Sequence, residues 1–321
     1  MRLMSHPNSA TSLRVSAIVL TYNRQELAIA LVDELKTLGD ALHEIILVDN
    51  NSSPPVRLEP EGGGGVPVQL VSLAQNVGAA GRNDGIARAS GDMVVTLDDD
   101  ISGLSRGAID TIRELFRDSS LAGVCFKVVD LFSGLQINWC HHYPMESYGD
   151  SQFHTNEISE GAVAFRREYV MQAGMYPASF FISHEGPDLA FRLWNRGYKL
   201  IYDGRIAVKH STAEAGRASW RRYYFDTRNV LWLAARNYPL LFGLRKISLQ
   251  VAAMGVYSLR DGFLRYWFKA LFDGVRGLPQ ALREREKPTA SAMGTMRAID
   301  SHRPGFWSLV RKRLRQRTVR I

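Results

Sequence analysis

The sequence predicts an α/β fold with a mostly parallel central sheet, followed by a helical and basic C-terminal region. Short apolar runs alternate with segments of helical periodicity in the first third of the chain, which is typical of β–α–β units. The 321 residues exceed one average domain. Hydrophobic residues make up 45% and charged residues 22%, which excludes a globally disordered chain.

The first hundred residues predict four strands and two helices. Ligands of such a sheet bind beyond the carboxyl ends of its strands, so polar residues that follow these strands are expected to share one crevice. A loop with four consecutive glycines, residues 54–67, is predicted to be flexible. The predicted strands are residues 14–20, 44–48, 68–73 and 92–97, and the predicted helices are residues 25–38 and 78–89.

The rest of the chain predicts short strands first and then long helices. The segment between residues 124 and 164 is irregular, and the sequence has helical periodicity after residue 216. Strand-like pieces lie at 124–131, 162–165, 199–202 and 206–209, and the predicted helices are 188–195, 220–236 and 244–275.

Charge divides the chain near Gly216. Residues 1–215 hold 18 Lys and Arg against 26 Asp and Glu, whereas residues 216–321 hold 22 against 6. A change of that size indicates two parts that meet different partners. We therefore divide the chain into a loose arm at 1–13, an α/β domain at 14–215 and a helical, basic region at 216–321.

The basic region favours contact with an anionic membrane surface. Residues 244–275 combine an apolar stripe with Lys and Arg, and residues 305–320 carry six bases and no acid. Packing of the stripe on the α/β domain is the alternative, and no motif supports nucleic-acid binding. The longest charge-free apolar run in the C-terminal half, residues 247–259, is shorter than the roughly 20 residues of a spanning helix, so no membrane crossing is expected.

Cysteine content and the N-terminal sequence indicate the compartment. The two cysteines fit a reducing environment, and the first residues do not resemble a secretory signal. We expect a cytoplasmic protein, with peripheral attachment to the inner face of the cell membrane as the hypothesis for the basic region.

Three consecutive carboxylates, Asp98, Asp99 and Asp100, follow the predicted strand 92–97. Neighbouring carboxylates repel one another unless a positive charge lies between them. Oxygen-rich clusters suit Mg²⁺ or Mn²⁺, which often complete their shells with phosphate oxygens. A solvated turn is the alternative interpretation.

Other polar residues lie beside predicted strand and helix ends. Asp49 is a candidate for hydrogen bonding to a nucleoside, or else a turn residue. Arg82, in a glycine-rich segment that is neither a dinucleotide fingerprint nor a P-loop, is available for a phosphate. Glu185 is a candidate general base and Asp188 lies in the following turn; the alternative is that both only complement a helix dipole. His210 ends a strand and is a metal-ligand candidate or a packed histidine.

Six motifs in order resemble the family 2 glycosyltransferases, which have the GT-A fold. They cover roughly residues 14–212, about two thirds of the chain. The motifs are VSAIVLTYNR, EIILVDNNS, NVGAAGRNDGIARASGD, LDDDI, EGAVAFRR and HEGPDLAFRLWNRGY followed by VKH.

This resemblance implies a GT-A catalytic domain that transfers a sugar, with inversion, from a nucleotide diphosphate sugar to an acceptor hydroxyl. The acceptor class it leaves open includes glycans, lipid-linked saccharides and natural products, and the implied cofactor is Mg²⁺ or Mn²⁺. The implied nucleotide-sugar contacts are Thr21, Tyr22, Asn23, Asp49, Asn76, Gly78, Arg82, Asn83, Asp99, Gly161 and Ala162; the implied metal ligands are Asp98, Asp100 and His210.

The chain departs from the family at the catalytic acid. Many relatives have two adjacent acids, whereas here Gly186 takes the second position. Glu185 is therefore our first choice of base and Asp188 the second. Two rival functions remain: a sugar-phosphate nucleotidyltransferase, which should have a glycine-rich loop where TYNR stands, and an inactive module that binds a nucleotide sugar or lipid.

Overall fold

The structure is a computed structural model that describes residues 13–59, 65–159, 161–211, 219–303 and 305. The strands are β1 Val15–Thr21, β2 Glu44–Asp49, β3 Val68–Ser72, β4 Met93–Asp98, β5 Ile101–Ser102, β6 Leu121–Asp130, β7 Gln152–His154, β8 Ala162–Arg166 and β9 Lys199–His210. The helices are α1 Gln25–Lys36, α2 Arg82–Arg88, α3 Arg106–Leu115, α4 Met145–Tyr148, α5 Arg167–Gln172, α6 Glu185–Asn195, α7 Trp220–Asn237, α8 Leu240–Arg260, α9 Leu264–Arg283 and α10 Ala290–Asp300.

The described strands form one mixed sheet in the order β3-β2-β1-β4-β8-β6-β9-β5, with β7 paired to β9. The first four strands of that order are parallel, as the sequence predicts. Strand β8 runs antiparallel to β4, so Ala162 at its start lies opposite Leu97 at the end of β4. The predicted α/β fold is confirmed, and the antiparallel β8 delivers its first residues to the same edge as the parallel strand ends.

Helices cover both faces of the sheet because strand side chains alternate between the two faces. On β1, Val19 points into a core shared with α1 and α3, and Ile18 points into a core shared with α2, α5 and α6. Val230 of α7 and Ile247 of α8 extend this second core. The basic C-terminal helices therefore pack on the α/β domain along part of their surface.

Three predicted element boundaries differ in the structure. The predicted helix 244–275 is two helices, because Gly262 adopts a left-handed φ of +78° between α8 and α9. The predicted strands 199–202 and 206–209 are one strand, β9, with a register shift against β6 near Lys127. The predicted helix 188–195 begins three residues earlier, at Glu185.

Other sequence predictions fall outside the described residues. These are the arm up to residue 12, the composition boundary within 212–218 and the basic tail from residue 306. Among the described helices, α8 alone is long and apolar enough to cross a membrane, judged by length and composition, with a mean hydropathy of 1.2 over its most apolar stretch. The sequence expectation differed because it stopped at the charges Arg245 and Lys246, which α8 includes.

Candidate active site

The ends of β1, β4 and β9 bring the acidic triplet into one crevice. Asp99 is 6% exposed and accepts hydrogen bonds from Thr21 Oγ1 at 2.7 Å and Arg24 Nη1 at 3.2 Å. The same Arg24 nitrogen donates to Asp100 Oδ2 at 2.6 Å, and His210 Nε2 lies 3.3 Å from Asp100 Oδ1. Three separate strand ends thus meet at neighbouring carboxylates.

The carboxylates in this crevice have opposite pKa shifts. Burial, together with repulsion from Asp100 and Asp98, raises the pKa of Asp99 to about 6 in spite of Thr21 and Arg24. Burial also acts on Asp100, but His210 and Arg24 outweigh it and hold the pKa of Asp100 below its usual value. Asp100 in turn raises the pKa of His210. The crevice concentrates negative charge that Arg24 partly balances.

The donor chemistry of this crevice fits a divalent cation. Asp100 Oδ1 is buried without a hydrogen-bond partner among the described residues, and it faces His210. Within the described ranges, no three His, Cys, Asp or Glu side chains are arranged as a complete metal site. Mg²⁺ and Mn²⁺ commonly use one or two carboxylates and take their remaining ligands from phosphate and water, so two protein ligands suffice.

Asp98, the first carboxylate of the triplet, is held between Arg82 and Gly161. Arg82 is buried and donates a hydrogen bond to Asp98 Oδ1. A Cβ on Gly161 would lie 2.3 Å from Asp98 Oδ2, so glycine is required for this approach, while the neighbouring Ala162 is buried in β8. Arg82, predicted to contact a donor phosphate, is the counter-ion of Asp98 in this structure.

The glycine-rich turn after residue 76 packs against the segment that precedes α6. Gly78 has a φ of +65°, and Ala79 N donates to Phe181 O at 2.7 Å. Asn76 Oδ1 accepts from Gly78 N at 2.9 Å, and Asn50 Nδ2 donates to Gly78 O at 3.0 Å. The donor-side turn predicted from the sequence therefore contacts the loop that carries the candidate base.

That loop has an unusual backbone. Phe181, Ser183 and His184 all have left-handed φ values, between +65° and +75°, although none is glycine. Asn229 of α7 stabilises them by donating to three carbonyl oxygens within residues 180–183. Strain of this kind concentrates at functional sites, and here it directly precedes Glu185.

Glu185 is a buried carboxylate with an unused oxygen. It is 4% exposed, and its Oε2 has no hydrogen-bond partner in the part of the chain that the structure describes. Burial, with repulsion from Asp98 and Asp226, raises the pKa of Glu185 to about 7 against the attraction of Arg82. A carboxylate that exchanges a proton near neutral pH beside an acidic triplet is suited to general-base chemistry.

Asp188, the second choice of base, does not reach the crevice. It is fully buried and accepts hydrogen bonds from Arg192 Nε at 2.9 Å, Arg236 Nε at 2.8 Å and Asn237 Nδ2 at 2.7 Å. Burial alone would raise its pKa, but the two arginines outweigh burial and lower it. Asp188 joins α6 to α7, which corrects the sequence hypothesis for this residue.

The family follows from a comparison with known sequences. Residues 16–170 match the family model described as glycosyl transferase family 2. This match, which covers just under half of the chain, identifies residues 16–170 as a glycosyltransferase family 2 domain.

The curated relatives match this chain in part. YwdF of Bacillus subtilis, an uncharacterized glycosyltransferase, is 34% identical over 92 residues, which are 27% of this chain and 33% of YwdF. The O-antigen chain rhamnosyltransferase WbaN of Salmonella anatum is 27% identical over 157 residues, which are 46% of this chain and 49% of WbaN. The matches span about one third and one half of these relatives.

A solved structure confirms the predicted GT-A architecture. The mannosyltransferase PcManGT from Pyrobaculum calidifontis, in complex with GDP-Man and Mn²⁺, superimposes with a TM-score of 0.52 at 18% identity. The superposition covers 95% of this chain and 85% of PcManGT. At that identity the likeness concerns the fold.

Other residues predicted to contact the nucleotide sugar have local structural partners in this protein. The Asn83 side chain donates to the carbonyl oxygen of Tyr176 at 2.8 Å and accepts from the Tyr176 nitrogen at 3.0 Å, so it fixes α2 to the segment after α5, and its nucleotide-sugar contact stays a prediction. Asp49 is 1% exposed and accepts from the backbone nitrogens of Ser52 and Val56, so it shapes the following loop. Its nucleoside contact stays a prediction.

Asn23 and Tyr22 differ in how much the protein constrains them. Asn23 N donates to Ser52 Oγ at 2.8 Å, and Asn23 Oδ1 accepts from Ser53 N at 2.8 Å. Tyr22, which directly follows the last residue of β1, is 45% exposed. The nucleotide-sugar contacts predicted for both residues stay predictions.

Sequence reasoning assigned no role to three residues of this crevice. Arg24 and Asn50 stand inside quoted motifs, directly after Asn23 and Asp49, so adjacency to candidate residues was the available signal. Asp226 accepts a hydrogen bond from Ser183 Oγ at 2.6 Å. It lies on α7, far along the chain, and only the fold brings it near Glu185.

We expect Gly78→Ala to weaken nucleotide binding and lower the melting temperature. A Cβ on Gly78 would lie 1.9 Å from Phe181 O, so the turn and the loop before α6 must separate. Gly134→Ala is the matched control, because Gly134 has a similar φ of +68° and open space around it. It should show only the backbone cost, about 1 kcal/mol. Equal effects of the two substitutions on nucleotide affinity, measured by calorimetry, would contradict the role of this contact.

Proposed function

We propose that the protein transfers a sugar from a nucleotide diphosphate sugar to an acceptor hydroxyl, with inversion at the anomeric carbon. The observation that carries this proposal is the juxtaposition of Glu185, which keeps one carboxylate oxygen unused, with the acidic triplet at the strand ends. The match of residues 16–170 to the glycosyl transferase family 2 model supports the class of reaction. The proposed acceptor belongs to a glycan, a lipid-linked saccharide or a glycosylated natural product.

Names of related proteins support the choice of donors. PcManGT was solved with GDP-Man and Mn²⁺, and WbaN is named a rhamnosyltransferase. The crevice of this chain has hydrogen-bonding groups and carboxylates that would hold a divalent cation for the diphosphate of such a donor, since Thr21 and the triplet converge there. We therefore propose nucleotide-linked hexoses and deoxyhexoses as the donors to test.

Glu185 supplies the base in this proposal. Its Oε2 accepts the proton of the acceptor hydroxyl while the hydroxyl oxygen attacks the anomeric carbon. The bond to the nucleoside diphosphate breaks on the opposite side of the sugar, which inverts the configuration. A positioned general base of this kind typically contributes about 10²–10⁴-fold to the rate.

Asp100 and His210 would hold a Mg²⁺ or Mn²⁺ ion, with Asp98 as a further ligand once it parts from Arg82. When bound, such an ion stabilises the negative charge of the departing diphosphate. Arg24 meanwhile keeps Asp99 and Asp100 together in spite of their mutual repulsion. His210 is the last residue of β9 and Asp100 lies in the two-residue turn between β4 and β5, so the sheet positions both groups, which suits a preorganised site.

A donor panel tests this function. Purified protein is incubated with nucleotide sugars, including GDP-mannose and a nucleotide-linked rhamnose, in Mn²⁺, in Mg²⁺ or with a chelator, and products are measured by mass spectrometry. We expect turnover of one donor class and its loss with the chelator. Pyrophosphate release from a sugar phosphate and a nucleoside triphosphate would instead show a nucleotidyltransferase, and donor binding without turnover would show an inactive module.

Asp100→Asn is expected to weaken Mn²⁺ binding at least tenfold, because the amide removes the charge of the buried ligand oxygen. Isothermal titration calorimetry with Mn²⁺ alone measures this without turnover. Asp150→Asn is the control, since Asp150 is an exposed carboxylate paired with Lys127. Equal Mn²⁺ affinity of Asp100→Asn and wild type would contradict the assignment of the site.

A further inference from the structure

The strongest feature outside the crevice is an exposed apolar surface on α8 and α9. Of the nineteen large apolar side chains that are exposed among the described residues, ten belong to these two helices. We define the α8–α9 face by the nine that recur along the two helices. They are Leu241, Leu244, Leu249, Val256 and Leu259 on α8, and Phe268, Phe272, Val275 and Leu282 on α9, each 49–81% exposed.

The two helices turn this face away from the protein. The buried residues Ile247 and Met254 of α8, and Ala270 and Gly274 of α9, lie on the opposite sides of their helices. The two helices also contact each other, because Trp267 Nε1 donates to the Val251 carbonyl at 3.0 Å. The exposed stripes therefore lie on helices that pack against each other, and an exposed apolar patch with polar residues around it marks an interaction site.

Basic side chains surround the α8–α9 face. Residues 240–283 hold seven Lys and Arg against two acids, and both acids are paired, Asp261 with Arg260 and Asp273 with Lys269. In the part of the chain that the structure describes, four bases of these helices form no ion pair. These are Arg245, Arg265, Arg276 and Arg283.

We propose that the α8–α9 face docks on an anionic lipid surface. A second copy of the chain is a poorer occupant, because a two-fold contact would set like-charged rims against each other. Anionic lipid headgroups complement the bases, and the acyl boundary accepts the leucine and phenylalanine side chains. Each helix lies in the plane of the surface, because the inner side of α8 is engaged with α7 and the α/β core.

The proposed lipid surface lies close to the candidate base. Gln250 Nε2, on α8, lies 3.4 Å from His184 Nε2, and His184 directly precedes Glu185. Leu241 and Leu259 are each nine residues from Gln250, which is two and a half helical turns, so they project from the opposite side. One helix diameter, about 10–12 Å, therefore separates the lipid plane from the loop at His184.

This arrangement deepens the proposed function by naming the acceptor class. If Glu185 is the base, the hydroxyl of a lipid-linked acceptor reaches Glu185 from the membrane surface while the lipid anchor stays in the bilayer. This step rests on the proposed transferase activity. Docking of the α8–α9 face on lipid does not rest on it, and the two are tested separately.

Vesicle sedimentation of the full chain tests the docking. We expect wild type to bind vesicles of phosphatidylcholine with phosphatidylglycerol and to remain free with phosphatidylcholine alone. Val256→Glu combined with Phe272→Glu places one acid on each helix and should lower the partition coefficient at least tenfold. The matched control is Met171→Glu, an exposed apolar residue on α5, which should bind like wild type.

A second variant keeps the test independent of folding effects. Arg265→Gln combined with Arg276→Gln changes two exposed bases and should weaken binding about fivefold per base and reduce its salt dependence. Residues 306–321 stay in every variant, so undiminished binding of both variants would assign attachment to that tail and overturn the proposal. The lipid proposal would also be overturned if wild type formed a dimer in the absence of lipid and the combined substitutions Val256→Glu and Phe272→Glu dissociated that dimer.

Two further readouts separate the alternatives. Release of the bound protein by alkaline carbonate supports in-plane docking, whereas resistance to it would show that α8 crosses the bilayer and would overturn the in-plane proposal. Hydrolysis of the nucleotide sugar, with water as acceptor, should be equal in wild type and the face variants. Loss of vesicle binding with intact hydrolysis in the face variants would therefore show an effect on lipid docking alone. Absent hydrolysis in wild type would contradict the proposed function and would leave the docking result unaffected.

Discussion

Glu185→Gln is expected to reduce sugar transfer by about 10²–10⁴-fold while leaving donor affinity unchanged, because the amide cannot accept the hydroxyl proton. The buried Oε2 of Glu185 has no hydrogen-bond partner among the described residues, so the isosteric glutamine fits without breaking a contact at that atom. Initial rates at saturating donor measure the loss, and calorimetric titration of the nucleotide measures the affinity. Glu168→Gln on α5 is the control and should behave like wild type.

The same carboxyl should set the pH dependence of the rate. Burial raises the pKa of Glu185 to about 7, so the ionised base is depleted below that pH and the second-order rate constant should rise with pH through about 7. Glu185→Gln should lose this rise. A residual rate within a few-fold of wild type, with the pH profile retained, would show that another group is the base.

Stability gives an independent readout of the raised pKa. Because the folded state holds the Glu185 proton more tightly than the unfolded chain does, the free energy of unfolding falls as pH rises from the usual pKa of a glutamic acid, about 4.5, to about 7. Glu185→Gln removes that cost, so the variant should gain stability relative to wild type above pH 7 and gain little near pH 4. Equal stability differences at both pH values would contradict a raised pKa.

Local pattern was sufficient for the half of the fold built from parallel strands. Continuous apolar runs such as that of β1 have one low-energy arrangement, a strand buried on both faces, and their polar ends must then share an edge. The sequence accordingly predicted that Thr21 and the acidic triplet share a crevice, and the contact between Thr21 and Asp99 agrees with that geometry. The position of His210 beside Asp100 was implied by the family resemblance.

Local pattern was insufficient where long-range contacts decide. The apolar periodicity of the 244–275 segment continues across Gly262, since both α8 and α9 pack on α7, and periodicity alone does not show the turn. The role of Asp188 was likewise hidden, because Arg236 and Asn237, its partners, lie on another helix. A carboxylate in a first helical turn looks the same in sequence whether it faces a substrate or a buried arginine.

Asp188→Asn is expected to destabilise the fold by about 3–5 kcal/mol, because it leaves two buried arginines facing a neutral side chain. Arg192 and Arg236 both donate to this carboxylate, and all three side chains are at least nine-tenths buried. The charge of Arg236 is partly compensated by Glu284, so Arg192 bears most of the loss. Denaturant unfolding measures the free energy.

Asp84→Asn supplies a matched comparison for this substitution. Asp84 and Arg88 form an ion pair with the same spacing of four residues, but both side chains are more than two-fifths exposed. Solvent screens such a pair, so its loss should cost well under about 1 kcal/mol. Comparable losses at both sites would contradict the structural role of Asp188. At a temperature where Asp188→Asn remains folded, it should also retain far more transfer activity than Glu185→Gln, because a positioning contact between α6 and α7 does not accept the proton.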